Sequence, residues 1–390
     1  MNRADRVLTK AVTFTGALTA AVVLAACGSS ASSSASSASS SAAASASSAA
    51  VSMATSLSTP ADSWAVLPMA ANPAFWQVFV RSGNSASWKL VTPPGVAANG
   101  GLVVSPGGES SLTVAFRPSQ DLLFSPLAAT ANGGASWSAG PPLDAAVAAS
   151  PDAFAASGTS LVALLTNGAV ETSANAGTTW SVLARPGAIA ASAAAKGCAG
   201  DVRVTSVSFG TSGAQVLAGA TCGTGGTTAL FSYSPGTGWQ RESLPVSGQL
   251  LRLTSGTALV EGKAGLTALS DGFGWYAYAP KTPTTPAGWN ASGALPVSGP
   301  VIASGTLALG GAWVLLPGAR AATVSGPGQQ WTLLPPAPAK TVVLAAGPDG
   351  ATDALAVSGA TLTVWQLAPK ATVWSKVQTV NVPIQYGSSS

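Results

Sequence analysis

The sequence predicts an all-β fold in which four-stranded sheets repeat around a ring, a β-propeller. From about residue 61 to residue 386, stretches rich in Val, Leu, Trp and Thr are interrupted by Gly and Pro every few residues, with almost no helical periodicity. A turn with the spacing S-x-N-x-G-x-x-W returns along this region, and its Trp residues are separated by 42 to 59 residues. Roughly 40 to 50 residues is the length of one propeller blade. Seven such Trp residues predict seven four-stranded blades, with six or eight as alternatives.

The repeated turn is clearest at Ser173–Trp180. Full or shortened versions of it are Ser82–Trp88, Thr130–Trp137, Ser232–Trp239 and Ser325–Trp331, and Trp289 and Trp374 stand alone at the same period. Asn accepts hydrogen bonds from backbone N–H groups two residues on, and Gly adopts a positive φ without a Cβ clash. The Trp is then expected to begin the returning strand and to bury its ring against the neighbouring hairpin.

A second marker is a Gly-rich turn that leads into a strand beginning with Trp, at Gly272–Trp275 and again at Gly310–Trp313. Each precedes a repeat Trp, so one blade is predicted to run strand, Gly-rich turn, strand, strand, repeat turn, strand. The first blade has too few residues before Trp88 for four strands. The segment Lys376–Tyr386 is therefore expected to supply the missing strand and to close the ring by strand pairing, which removes two exposed edges.

The N-terminus carries export signals. Residues 1–26 combine Arg3, Arg6 and Lys10 with an apolar run that is too short for an ordinary membrane-spanning helix, which is typical of a secretory signal peptide. The run ends in Leu24-Ala25-Ala26-Cys27-Gly28, which resembles the lipobox of bacterial lipoproteins. That resemblance implies a lipid on Cys27 and attachment to the outer face of the cell membrane, or to an outer membrane if the host has one. The alternative is an ordinary signal peptide that happens to contain a Cys.

Residues 27–60 consist of Cys27 and a segment made almost entirely of Ser and Ala. Such a segment buries too little apolar area to offset the entropy of ordering it. We expect a flexible tether with a typical end-to-end distance of roughly 30 Å. The propeller domain is predicted at residues 61–386.

Composition excludes several kinds of chemistry. The chain has no His, which removes the commonest general base and metal ligand. With two Cys beyond Cys27 and no dense acidic loop, neither a metal nor a cofactor is expected. Charged residues are only 8% of the chain, and without the signal peptide the net charge falls from +4 to +2. Lys and Arg are not clustered, so nucleic acid is not an expected partner.

Cys198 and Cys222 form an even pair in an exported protein, and we predict a disulfide between them. They flank Val202–Ala220, which has the pattern of two strands joined by a Gly-containing turn. Closing this loop should stabilise the fold by roughly 3 kcal/mol in the chain-entropy model. The alternative is two buried thiols.

The repeated turn resembles the Asp-box of BNR repeats, with Asn or Ser in place of Asp, over most of residues 61–385. BNR repeats occur in bacterial sialidases and other extracellular propellers, and the paired Gly-Trp layout also resembles propellers related to photosystem II assembly factors. The resemblance implies the fold and leaves the function open.

One alternative that the resemblance implies is a sialidase-like exo-glycosidase, which uses three Arg residues, a Tyr nucleophile with a Glu, and an Asp. The candidates here are Arg117 in Phe116-Arg117-Pro118, then Tyr276, Tyr278 and Glu261. The other arginines match no triad, and all of these residues are explained more simply as solvated strand and loop residues. They are Arg81, Arg185, Arg203, Arg241, Arg252 and Arg320.

The sequence thus favours a non-catalytic module that binds or assembles a protein or glycan partner in the cell envelope. Trp275, Tyr276 and Tyr278 form the densest aromatic cluster, and the two Tyr residues share one face of a strand by alternation. A ligand surface is expected there first. Trp residues at blade spacing, by contrast, are more often part of the core than a sugar-stacking array.

Overall fold

The fold was analysed in a computed structural model of the chain. The structure describes residues 54–59, 61–69, 76–83, 85, 87–93, 102–106, 110–116, 127–139, 151–198, 201–210, 213–223, 227–254, 256–271, 288–296, 299–307 and 310–382. Within these residues 28 β-strands form seven four-stranded antiparallel sheets. This confirms the predicted all-β propeller with seven blades.

The first four sheets follow one another along the chain. Sheet 1 contains β1 (Thr55–Ser58), β2 (Asp62–Pro68), β3 (Trp76–Ser82) and β4 (Lys89–Leu90). Sheet 2 contains β5 (Leu102–Pro106), β6 (Leu112–Phe116), β7 (Leu127–Thr130) and β8 (Ser138–Ala139). Sheet 3 contains β9 (Pro151–Ser157), β10 (Ser160–Leu165), β11 (Val170–Ser173) and β12 (Ser181–Ala184). Sheet 4 contains β13 (Val202–Phe209), β14 (Val216–Cys222), β15 (Thr227–Ser234) and β16 (Gly238–Arg241).

The last three sheets continue in the same way. Sheet 5 contains β17 (Gln249–Thr254), β18 (Thr257–Gly262), β19 (Gly265–Asp271) and β20 (Trp289–Ala291). Sheet 6 contains β21 (Ala303–Leu307), β22 (Gly311–Leu316), β23 (Arg320–Val324) and β24 (Thr332–Leu333). Sheet 7 contains β25 (Thr341–Ala346), β26 (Thr352–Ser358), β27 (Thr361–Leu367) and β28 (Ser375–Asn381). Two single 3₁₀ turns lie at Ala193–Ala195 and Pro348–Gly350.

Every sheet is a simple meander, so its strands alternate in direction between the two faces of the ring. The innermost strand of each sheet begins on one face, which we call the start face, and the repeat turn between the third and fourth strands lies on the opposite face. β1 begins and β28 ends on the start face. No helix within the described residues has the length and hydropathy needed to cross a bilayer.

Burial follows the position of a strand in its sheet. The second strands are apolar almost throughout, as in β10 and β22, whose residues are nearly all buried because neighbouring sheets cover both of their faces. Most fourth strands are short, with two to four residues, and those of β12 and β24 are largely exposed; β28 is the long exception with seven residues. Short outer strands protect the sheets against edge-to-edge association.

The core is divided into apolar clusters that lie between successive sheets. Separate clusters join sheets 1 and 2, 2 and 3, 3 and 4, 4 and 5, and 5 and 6, and one larger cluster joins sheets 6, 7 and 1. Each repeat Trp belongs to the cluster shared with the preceding sheet. Thus Trp137 of sheet 2 packs with sheet 1, and Trp88 of sheet 1 packs with sheet 7. The predicted core role of these Trp residues is confirmed.

The predicted strand exchange between the two ends of the chain is wrong. β28 pairs with β27 as the outermost strand of sheet 7, and sheet 1 obtains all four strands from its own segment. Its innermost strand, β1, precedes the predicted domain start at residue 61 and comes from the end of the Ser- and Ala-rich segment. Leu57 is buried in the cluster between sheets 1 and 2, which supplies the apolar contact that orders this strand.

The Gly-rich marker is confirmed in sheet 6, where Trp313 lies in the second strand and is fully buried. The corresponding Gly272–Trp275 segment of sheet 5 lies outside the described residues. It falls between the third strand, β19, and the fourth, β20, and so it does not lead the second strand as predicted.

Candidate functional site

Most residues that the sequence singled out for function lie outside the described residues: Cys27, Trp275, Tyr276 and Tyr278. The lipid anchor and the aromatic ligand surface therefore stay predictions. Cys198 and Cys222 form the predicted disulfide, with their Cα atoms 5.0 Å apart. Cys222 is opposite Val202 in the β13–β14 hairpin, so the disulfide closes the open end of that hairpin.

The repeat turn at Ser173–Trp180 is held by its own side chains. The Ser173 hydroxyl accepts hydrogen bonds from the N–H groups of Asn175 and Gly177, and Asn175 Oδ1 accepts one from Thr179 N at 2.9 Å. Asn175 Nδ2 also donates to Thr179 Oγ1 at 2.9 Å, a bond that Asp does not make. Asn175 therefore bonds the N–H four residues on, not two. All of its polar groups serve the turn.

The same geometry recurs at Thr130–Trp137. Asn132 Oδ1 accepts from Ser136 N at 2.9 Å, and Asn132 Nδ2 donates to Ser136 Oγ at 2.8 Å. The two turns have a structural role, because the polar groups of their Asn side chains are already used in hydrogen bonds within the turn. A ligand site has to be sought elsewhere.

A buried ion pair joins sheets 1 and 7. Arg81 Nε lies 3.4 Å from Asp353 Oδ2, and Trp88 Nε1 donates to the same oxygen at 2.9 Å. Burial raises the pKa of Asp353 and lowers the pKa of Arg81, so removal from water outweighs their mutual attraction for both groups. Arg81 also donates to Ser63 and to the carbonyl groups of the surrounding chain. The pair joins the two sheets, although Arg81 Nε makes only the ion-pair contact and no hydrogen bond among the described residues.

The arginine triad of the glycosidase alternative is not formed by the described residues. Arg81 is paired with Asp353, Arg241 lies beside Cys198 on the outer strand of sheet 4, and Arg320 bonds Pro317 in a turn of sheet 6. Arg117, Tyr276 and Tyr278 lie outside the described residues. No observation in the described part of the chain favours this alternative.

One arginine does reach the axis of the ring. Arg252 lies on β17, the innermost strand of sheet 5, and its Nη1 donates to Thr55 Oγ1 at 2.6 Å and to Ser304 O at 2.5 Å. Thr55 Oγ1 in turn donates to Ser304 O at 2.9 Å. Thr55 and Ser304 belong to the innermost strands of sheets 1 and 6, so a single guanidinium joins three innermost strands from different parts of the ring.

A β-bulge aims Arg252 at this position. The register between β17 and β18 shifts between Leu250 and Arg252, which leaves Leu251 as the extra residue. Bulges redirect the following side chain. Leu250 packs with the cluster between sheets 4 and 5, whereas Leu251 packs with the cluster between sheets 5 and 6. Because of the bulge, the side chain of Arg252 also lies on the side of β17 that faces sheet 6. Thr254, two residues further along, lies on the same face of the strand.

Arg252 is a partly buried cation without a counter-charge among the described residues. Burial lowers its pKa to about 10, and no carboxylate opposes that effect. Its two acceptors are a hydroxyl and a carbonyl, and they use Nη1 only, so Nε and Nη2 have no acceptor in the described part of the chain. The buried Thr254 Oγ1 likewise has no partner there. The group can hold an anion. Neither a nucleophile nor a general base bonds to it.

The sequence pattern does not separate Arg252 from the other arginines that match no triad. The feature of the sequence that could have distinguished Arg252 is its place in Leu250-Leu251-Arg252-Leu253, where it is a single charged residue inside an apolar segment. Its partners, however, are far away in sequence: 197 residues separate it from Thr55. No group of three or more metal-ligating side chains occurs in the described residues.

The sequence matches no protein-family model and none of the curated proteins. Solved propellers are similar at low identity. A structure of YCF48 bound to D1 peptide has a TM-score of 0.44 and 16% identity over 84% of this chain and 92% of that one. YCF48 from Cyanidioschyzon merolae has a TM-score of 0.44 and 14% identity over 84% and 95%. The six-bladed fucose-recognising lectin of Aleuria aurantia has a TM-score of 0.38 and 10% identity over 86% and 96%. None of these similarities bears on function.

Proposed function

We propose that the chain is an exported bacterial lipoprotein, anchored through Cys27, whose propeller binds a protein or glycan partner in the cell envelope without catalysing a reaction. The observation that carries the binding role is Arg252. It is a cation placed at the axis by three sheets, with donor groups left over and only neutral, unreactive groups bonded to it. Such a site can hold a ligand, and among the described residues its bonded groups are one threonine hydroxyl and one backbone carbonyl.

The anchor is supported by the sequence Leu24-Ala25-Ala26-Cys27 after the apolar run. The Ser- and Ala-rich segment that follows is long enough to separate the propeller from a membrane. Cys27→Ser should move the protein from the membrane fraction to the soluble extracytoplasmic fraction. If the variant stays in the membrane fraction, the lipid anchor is excluded.

Photo-crosslinking in the native envelope tests the binding role. A photoreactive residue at Gln249, exposed at the beginning of β17 on the start face, should give a discrete adduct. The matched control is Gln240, exposed on the outer strand β16, where no discrete adduct is expected. Equal labelling from both positions, or no adduct from Gln249, would argue against a partner that binds near the axis.

A further inference from the structure

Arg252 occupies a place where a propeller has little reason to keep a charge. Its strand is otherwise apolar at Leu250, Leu251 and Leu253, and moving a guanidinium out of water is costly unless an anion accompanies it. Across the seven innermost strands the sequence has two basic residues, Arg203 and Arg252, and one acidic residue, Asp152 on β9. The innermost strands therefore contain one more basic residue than acidic residues.

The geometry leaves a defined part of the guanidinium open. Thr55 and Ser304 hold Nη1 from one side, which orients the planar group and leaves the Nε and Nη2 edge without protein acceptors in the described residues. That edge carries two parallel N–H donors, the arrangement that binds two oxygens of one carboxylate. Because Nη1 is already held, less conformational entropy is lost when an anion binds.

Thr254 is an independent observation on the same face of β17. Its Oγ1 is buried and has no hydrogen-bond partner in the part of the chain that the structure describes, which is rare for a polar atom in a folded protein. Arg252 and Thr254 are two residues apart on a strand, so their side chains project to the same side. An arginine edge and a hydroxyl that both lack partners point to a ligand that would satisfy them.

We propose, on the basis of the binding function above, that Arg252 binds a carboxylate on an acidic peptide segment of the partner. A single cation with one planar edge suits a monovalent, planar anion, whereas phosphate recognition generally uses several cations. Arg252 is the fourth residue of β17, roughly 10 Å along the strand from its exposed start at a rise of about 3.3 Å per residue. An acidic side chain on an extended segment can reach that depth, while a sugar acid carries its carboxylate directly on a bulky ring.

The test is protection of Arg252 from an arginine reagent in the full-length lipoprotein in detergent. The protein is treated with p-hydroxyphenylglyoxal, and modification of each arginine is followed by mass spectrometry in sodium acetate and in sodium chloride at equal ionic strength. Acetate should slow the modification of Arg252 about fivefold or more. Half of this protection should be reached at an acetate concentration on the order of 10 mM, which is the dissociation constant expected for a single ion pair. Arg185, exposed after β12, is the internal control and should react equally in both salts.

The same measurement with larger ligands then shows whether the carboxylate belongs to a peptide or to a sugar. Hexaglutamate should protect Arg252 at lower concentration than acetate, and hexaglutamine should not protect it. Equal modification in acetate and chloride, or an Arg252 that the reagent never reaches, would overturn the carboxylate site. Protection by an oligouronate and not by hexaglutamate would overturn the peptide assignment. None of these outcomes affects the membrane anchor or the Gln249 adduct, so the proposed function stands or fails separately.

Discussion

At the scale of single residues, the seven repeat Trp side chains share a position but differ in their hydrogen bonds. Each packs on the preceding sheet, yet Trp88 Nε1 donates to the buried carboxylate of Asp353, whereas Trp289 Nε1 is buried without a partner among the described residues. A hydrogen bond to a charged group contributes about 1.5 to 3 kcal/mol, whereas a buried donor without a partner costs about 1 to 3 kcal/mol in lost hydration. Trp289 therefore stabilises the fold by packing alone, and Trp88 also satisfies a buried charge.

This difference predicts unequal effects of removing the indole N–H. Trp88→Phe should lower the free energy of unfolding by about 3 kcal/mol, because Asp353 loses a donor in addition to the lost packing. Trp289→Phe is the matched control, since Trp289 is similarly buried, and it should lose about 1 kcal/mol or less, because removing an unpartnered buried N–H offsets part of the lost packing. Urea unfolding followed by circular dichroism measures both. Losses of equal size would show that the bond to Asp353 has no net value.

Residue pairs of this kind could not be predicted from the sequence. Trp88 and Asp353 are 265 residues apart, and nothing local to either residue indicates the other. The same applies to Arg252, whose acceptors come from two other sheets. The Cys198–Cys222 pair was predictable because only two Cys remain after Cys27 and they flank one hairpin.

At the scale of elements, the repeat turn was predictable because its chemistry is local. The Ser or Thr, the Asn and the Gly all act within eight residues, and the structure shows each of them bonded or in positive φ as their types require. The acceptor of the N–H two residues on differs from the one expected. This hydrogen bond is accepted by the Ser173 hydroxyl and not by the Asn, whose side-chain amide both accepts and donates hydrogen bonds. Contacts that the turn makes with the next sheet were not visible in the sequence.

Gly134 shows such a contact and gives a sharp prediction. Gly134 and Gly168 both have positive φ, +80° and +85°, but a Cβ on Gly134 would lie 2.5 Å from Val91 Cβ of the preceding sheet, whereas Gly168 has open space. Gly168→Ala should cost about 1 kcal/mol of backbone strain. Gly134→Ala should cost a further 1 to 3 kcal/mol, roughly, because the packed side chains must move apart. Equal urea midpoints for the two variants would contradict the packing between turn and sheet.

At the scale of the whole molecule, the repeat period predicted the number of blades. The composition of β1, however, gave no indication that this strand belongs to sheet 1 and completes the ring. Only Leu57 is apolar in β1, so the composition of this strand resembles that of the Ser- and Ala-rich tether and does not indicate a strand of sheet 1. With β1 in place, sheets 1 and 7 are each complete and meet through side chains. The larger apolar cluster that includes sheets 6, 7 and 1 and the buried Arg81–Asp353 pair hold the two ends of the chain together.

Gln378 bonds the backbone of sheet 1 from sheet 7, as a strand shared by the two sheets would do. Its Oε1 accepts from Trp88 N at 2.8 Å, and its Nε2 donates to Trp88 O at 2.9 Å, so one side-chain amide pairs with both polar groups of a backbone residue. Without this amide, Trp88 N and O lose their partners on sheet 7. The two sheets should then separate more often than the other neighbouring sheets do, while the rest of the ring stays closed.

Hydrogen exchange followed by mass spectrometry therefore tests how the ring closes. In Gln378→Ala, amides of β3, β4, β27 and β28 should exchange about 10-fold faster, as expected for a loss of about 1.4 kcal/mol in the opening free energy. Exchange in sheets 3 to 5 should not change. Gln240→Ala is the matched control, because Gln240 also lies on an outer strand, and the one side-chain bond it makes among the described residues is to Thr237 in the turn of its own sheet. A uniform increase across all seven sheets would indicate that the junction between sheets 1 and 7 does not open independently of the ring.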